Sequence, residues 1–186
     1  VIALRERGVT DEEIHALVNE NGSALIGKIA DAIAEFVKQT KKNGYVISVN
    51  YDISIEELIK RGKYDWSDKI ITNKNFLTKR SGKSDIAIEL VHFNRKMFSS
   101  EIVLSELDKI GLRPAEACEL LTFGEKYPDL QLNFPIVALG FGSEENAYPS
   151  FVISLAGRGD VDRIAFVRLF LTYWGPQWRF AAVRKL

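Results

Sequence analysis

Two histidines and one cysteine are the residues of this chain best suited to nucleophilic or metal chemistry, and their spacing assembles neither. Cys118 and His92 are the candidates for a thiolate–imidazole pair. Such a pair needs an exposed thiol whose pKa is lowered by a nearby cation or a helix N-terminus. Cys118 falls instead on the apolar side of a predicted helix, between Ala117 and Leu121, and His92 ends an apolar strand. A hydrogen-bonded structural histidine is the simpler reading of His92. His15, beside Ile14 on an early helix, reads as a surface or interface residue. Three possible ligands spread over about a hundred positions show no zinc spacing. Asp160 and Asp162 could offer hard oxygen ligands to a divalent cation, yet Arg158 and Arg163 flank them and local ion pairing in a turn accounts for both. No catalytic residue, metal or cofactor is expected.

Phosphate-binding patterns are imitated rather than met. Gly82-Lys83-Ser84 resembles the end of a phosphate-binding loop, but Leu77 stands where the loop's first glycine belongs, and no apolar strand leads into it. Gly140-Phe141-Gly142 has two of three dinucleotide glycines, without a following helix and with Glu144-Glu145 placed to repel pyrophosphate. Arg158-Gly159-Asp160 matches a cell-adhesion tripeptide by chance.

The formal net charge is zero, with 25 basic and 25 acidic residues, so nothing pulls the whole chain toward nucleic acid or anionic lipid. The distribution is less even. Residues 69–96 hold seven basic against two acidic side chains, whereas 99–124 hold two against five. A basic loop beside an aromatic strand could track phosphates and stack bases. Lys79, Arg80, Lys83, Trp178 and Arg179 are the candidate contacts, with Tyr173 and Trp174 nearby in sequence.

These residues need elements to position them. Thr10-Asp11-Glu12-Glu13 is a capping box opening one helix, and Ser23 caps a second in which Ile26, Ile29, Ile33 and Val37 recur at helical spacing. Residues 1–44 are therefore expected as a helical hairpin, packed on the main domain or apart from it, and 45–186 as the main domain. Tyr45–Tyr51 alternates as a half-buried strand. Ser54 caps a short helix closed by Gly62, and 63–85 reads as a long loop. Ile86–Phe93 is a strand. A helix capped by Ser99 or Ser100 should bury Ile102, Val103, Leu107 and Ile110. Pro114 opens a further helix that Gly124 stops. Strands follow at 136–141, 151–155, 164–173 and 179–183, the last two joined as a hairpin through Trp174–Trp178. Helices first and strands last predict an α+β fold: an N-terminal helical hairpin, then a mixed domain with a two-helix insertion and a mainly antiparallel sheet.

The motif order Glu89-Leu-Val-His-Phe93, Leu112-Arg-Pro-Ala115, Tyr127-Pro-Asp-Leu-Gln131, Phe134-Pro-Ile-Val-Ala-Leu-Gly140 and Arg179-Phe-Ala-Ala-Val-Arg-Lys185 resembles an uncharacterised family of bacterial hypothetical proteins. The resemblance runs from Tyr45 onward and implies a bacterial source and an α+β domain, with no activity to carry over.

One cysteine cannot form an internal disulfide, and the longest apolar run, Phe134–Phe141, is too short for a membrane span. A soluble, cytoplasmic protein is expected, although a start at Val1 leaves open a trimmed N-terminus. The leading expectation is a non-enzymatic binding or protein-interaction module with a protein partner, of undetermined oligomeric state. An RNA- or single-stranded-DNA-binding domain is the alternative, and an enzyme whose acids and bases meet only in the fold stays open.

Overall fold

The computed structural model describes Thr10, Asp31 and residues 44–76, 78–141, 151–159 and 162–185. The chain divides into two compact units, Val1–Lys42 and Asn43–Leu186, and the fold below is that of the second. The expected helical hairpin at 1–44 lies outside the described residues apart from those few positions.

Among the described residues of this unit, eight strands and four helices follow one another: β1 (Tyr45–Asn50), α1 (Ile55–Gly62), β2 (Trp66–Ser67), β3 (Lys83–Val91), α2 (Ser100–Lys109), β4 (Leu112–Pro114), α3 (Ala117–Lys126), α4 (Leu130–Asn133), β5 (Ile136–Ala138), β6 (Phe151–Arg158), β7 (Asp162–Leu169) and β8 (Arg179–Arg184). The strands form one sheet in the order β1-β3-β8-β5-β6-β7-β2, with β4 also on β8. It is a mixed sheet, because β5 runs parallel to β8 and β2 parallel to β7.

This overturns the expected α+β architecture with its two-helix insertion; of the seven strand pairings among the described residues five are antiparallel and two parallel, so the sheet is mixed rather than simply antiparallel. Helices are interleaved with strands rather than segregated. The segment between α2 and α3 is no helix joint but β4, which pairs Leu112–Pro114 with Ala182–Arg184. Nor do the last two strands form a hairpin. β7 pairs with β6, while β8 crosses to the sheet centre between β3 and β5.

Local chemistry explains several elements. In β1, Ile47 and Val49 are fully buried while Val46 is 51% exposed, as period-two alternation requires. Ser54 Oγ accepts from Glu57 N at 3.2 Å at the start of α1, and Ser99 Oγ accepts from Ile102 N at 3.4 Å at the start of α2. Lys63, in the left-handed region at φ 48°, closes α1 one residue after the glycine expected there. Ile102 of α2 and Ile110 at its C-cap face solvent, contrary to expectation, and Val103 and Leu107 supply the buried stripe.

Gly124 does not stop α3, which continues to Lys126. A Cβ at Gly124 would press on Tyr64 Oη and stand 2.7 Å from Leu155 Cδ1, so close packing selects the glycine. Arg163 on β7 closes the helix ends. Its guanidinium donates to Gly62 O of α1 at 2.8 Å, Gly124 O of α3 at 2.7 Å and Pro128 O at 3.2 Å, placing a cation where helix carbonyls lack partners.

Two apolar layers flank the sheet. One packs Leu58, Leu120, Leu121 and Phe123 of α1 and α3 against Ile47, Ile88, Ile153 and Leu155. The other packs Val103 and Leu107 of α2 against Val137, Val152 and Phe180, with Trp174 and Trp178 at its centre. No described helix is long and apolar enough to cross a membrane.

Candidate functional site

The first turn of α3, residues 74–76 and 78–79, the end of β5 and the start of β6 enclose a cleft of about 330 Å³. Its floor is apolar, with Phe76, Ala138 and Ile153, and Phe141 and Phe151 stand near its mouth. Lys74, Thr78, Lys79 and Glu116 supply its polar rim. Backbone packing fixes the walls. Gly140 N donates to Ala115 O at 2.8 Å, and a Cβ at Gly140 would lie 2.5 Å from that oxygen, so only glycine lets the chain after β5 run against the entry to α3. Thr78 Oγ1 donates to Glu116 Oε2 at 2.6 Å and Arg80 Nε to Glu116 Oε1 at 2.8 Å, tying the loop to the same point.

Behind the cleft lies a buried ionic network. Glu119 has no exposed surface. Its carboxylate accepts Arg113 NH1 at 2.9 Å and NH2 at 2.7 Å, the Tyr51 hydroxyl at 2.7 Å and Glu116 N at 2.8 Å. Burial alone would raise the Glu119 pKa; the Arg113 hydrogen bonds and charge outweigh it and hold the carboxyl below its ordinary value. Arg113 is shifted upward: its own burial works against the charge, and Glu119 overcomes it. Tyr51 is pushed upward by burial and then by its bond to Glu119. The unit joins the end of β1, β4 and α3 and is fully hydrogen-bonded, which is the arrangement of a structural clamp.

Cys118 lines the cleft at the helix N-terminus, where a thiolate could be favoured. The reverse holds. Burial, followed by the charges of Glu119 and Glu116, pushes the thiol up to about 12, so it stays protonated. His92 does not meet it; its Nε2–H donates at 2.7 Å to Pro176 O, within the Trp174–Trp178 turn. Gly82, at φ +77°, forms a turn whose N–H donates to Asp52 Oδ1 at 3.0 Å, and no helix follows it to cradle a phosphate. Asp162 pairs with Arg158 at 3.2 Å, while Asp160 lies outside the described residues. Among the described residues no group of three His, Cys, Asp or Glu side chains could hold a metal ion.

The candidate nucleic-acid contacts are not gathered into one surface. Trp178 is 6% exposed and packs edge-on to Trp174 with ring centroids 4.8 Å apart, so neither face is open to a base. Arg179 lies over the Phe134 ring at 4.7 Å and is shifted downward by burial. Arg80 is paired with Glu116, and Lys79 stands at the cleft rim. Lys83 begins β3, whereas Arg179 is in register with the position just after that strand's end; nine residues of extended chain place them about 30 Å apart.

Sequence reasoning missed Tyr51, Arg113 and Glu119. Tyr51 and Glu119 are 68 positions apart, and no local spacing signals such a meeting. The chain matches no known protein family, no curated protein and no solved structure.

Proposed function

We propose that this chain is a non-enzymatic binding module and that the cleft beside α3 is where it binds. The observation that carries this reading is the state of the polar groups around an apolar floor. Glu119 is saturated by four hydrogen bonds, Glu116 is held by Arg80 and Thr78, and the Cys118 thiol stays protonated. What faces a ligand is apolar contact with Phe76, Ala138 and Ile153, and a cationic rim where Lys74 makes no ion pair among the described residues. The volume falls at the small end of the usual ligand pockets, roughly 300–1,000 Å³. An apolar body ending in an anionic group fits that lining, whether free or as the end of a partner protein's segment.

Fluorescence titration with anilinonaphthalene sulfonate, which has this chemistry, tests the site. One saturable site is expected, weakened about tenfold by Lys74→Glu and likewise by Phe151→Asp, with both variants folded by circular dichroism. Unsaturable binding, or indifference to both substitutions, would remove the cleft as a site. Oligouridine binding that falls steeply with salt and is lost in Lys83→Glu would instead support the nucleic-acid reading.

A further inference from the structure

The segments 94–100 and 170–178 meet at an antiparallel bridge where Met97 and Trp174 exchange both backbone hydrogen bonds, at 2.9 and 2.8 Å. Both side chains point inward, 2% and 0% exposed. Alternation then turns their neighbours outward. Phe98 is 72% exposed and Tyr173 60%. Lys96 Nζ sits between them, 5.4 Å from the Phe98 ring centroid and 4.4 Å from that of Tyr173, so the three side chains form one surface. Leu171, two positions before Tyr173, is 75% exposed. The platform is tethered from beneath, because Trp174 Nε1 donates to Ser100 Oγ at 3.0 Å and that hydroxyl donates to Phe170 O.

Exposed aromatic and aliphatic surface of this kind is unfavourable in water unless something covers it. Charge indicates what. Arg95 and Lys109 share the Glu106 carboxylate, whereas Lys96 makes no ion pair among the described residues. We infer that this platform docks a protein segment bearing a carboxylate beside an apolar side chain. The carboxylate meets the Lys96 ammonium, and the apolar side chain covers Phe98 and Leu171. The Met97–Trp174 bridge holds the rings in place before the partner arrives, so little ordering is left for binding to impose. A nucleic acid fits less well, because Lys96 already occupies the Tyr173 face and Arg95 is neutralised by Glu106. The surface shares no lining residue with the cleft, and the inference does not rest on the reading given to that cleft.

Short immobilised peptides alternating leucine with aspartate, lysine or serine, probed with the full chain by interferometry, test it. The aspartate series should be retained and the lysine series not. The pair Phe98→Ser and Tyr173→Ser should weaken retention at least about tenfold. Lys96→Glu, a surface change that keeps the fold, should reverse the preference toward lysine peptides. Equal binding of aspartate and lysine peptides, no binding of either, or an unchanged preference in Lys96→Glu overturns the inference. So does self-association in sedimentation velocity that Phe98→Ser abolishes, which would make the occupant a second copy. Displacement of the aspartate peptide by oligouridine would overturn it in favour of RNA.

Discussion

Glu119 and Arg168 are charged side chains drawn toward the core from opposite faces of the sheet, and the fold stabilises them by different means. Glu119, on the α3 side, receives donors from Arg113, Tyr51 and the Glu116 backbone and has no exposed surface. Arg168, on the α2 side and half-buried, meets no carboxylate among the described residues. Its guanidinium lies 5.3 Å from the Trp174 ring and 5.1 Å from that of Trp178, and its Nε has no hydrogen-bond partner. The difference follows from the ions. A carboxylate concentrates its charge on two oxygens and must be given N–H or O–H groups when buried. A guanidinium is delocalised and weakly hydrated, and it stacks on aromatic faces. The Glu119 charge is therefore held by a directional network, and the Arg168 charge mainly by aromatic contact, with one long hydrogen bond of 3.5 Å from its NH2 to Thr172 Oγ1.

Breaking the network should have the largest effect. Arg113→Ala strands a buried carboxylate and should cost about 3–5 kcal/mol in urea unfolding. Its pH dependence checks the cause. In the native chain the Glu119 pKa is depressed, so its contribution is present above the unfolded carboxylate value of about 4.3 and is lost as pH falls through the lower folded value. Without Arg113, burial is opposed only by the Glu116 N and Tyr51 hydrogen bonds, and as the largest cause it should raise the carboxyl above its ordinary value. The variant should then lose stability as pH rises through that raised value, so its deficit against the native chain shrinks at acid pH. An equal deficit at acid and neutral pH would show that ionised Glu119 is not the centre of this face.

Three smaller changes compare the packing of the faces. Ser100→Ala removes the hydroxyl that bridges Trp174 Nε1 and Phe170 O, leaving a buried indole N–H unpartnered. A loss of about 1–3 kcal/mol is expected, with altered near-ultraviolet dichroism from the tryptophans. Gly124→Ala sets two effects against each other. In an exposed helix the change gains roughly 1 kcal/mol. Here the new Cβ meets Tyr64 Oη and Leu155, and overpacking of about 1–3 kcal/mol should win in thermal unfolding. Tyr64→Phe removes a buried hydroxyl without a partner, so it should be neutral or stabilising alone and should recover part of the Gly124→Ala loss. Additive losses would place the clash elsewhere.

What was legible in the sequence was local. The alternation of Tyr45–Asn50 and the Ser54 and Ser99 caps depend on neighbours within a few residues, and each stands as expected. The illegible parts depend on distant ones. β4 is three residues long and contains Pro114, which reads as a helix start until β8 arrives beside it. The Trp174–Trp178 turn has the composition of a hairpin tip, yet both indoles are buried and β8 leaves to pair with β3 and β5. Cys118 was rightly placed on a buried helix face, while the acids that raise its pKa further were visible only as neighbours in sequence. The Tyr51–Arg113–Glu119 network had no signature at all, since its members come from β1's end, β4 and α3.

The smallest expected effect is the sharpest test of the contrast. Replacing Arg168 by methionine keeps much of the side chain's length and apolar contact and removes the charge. Two contacts over indole rings would be lost, each worth about 0.5–2 kcal/mol depending on exposure, together with a hydrogen bond to Thr172 Oγ1 that at 3.5 Å adds little. Against that, a buried Nε without a partner disappears, which relieves about 1–3 kcal/mol. The two nearly cancel, so urea unfolding should change by less than about 1 kcal/mol, and high salt should leave both proteins alike because Arg168 makes no ion pair among the described residues. A loss comparable with that of Arg113→Ala would mean that the indoles hold the guanidinium as firmly as hydrogen bonds hold Glu119. The contrast between the two faces would then be one of geometry alone.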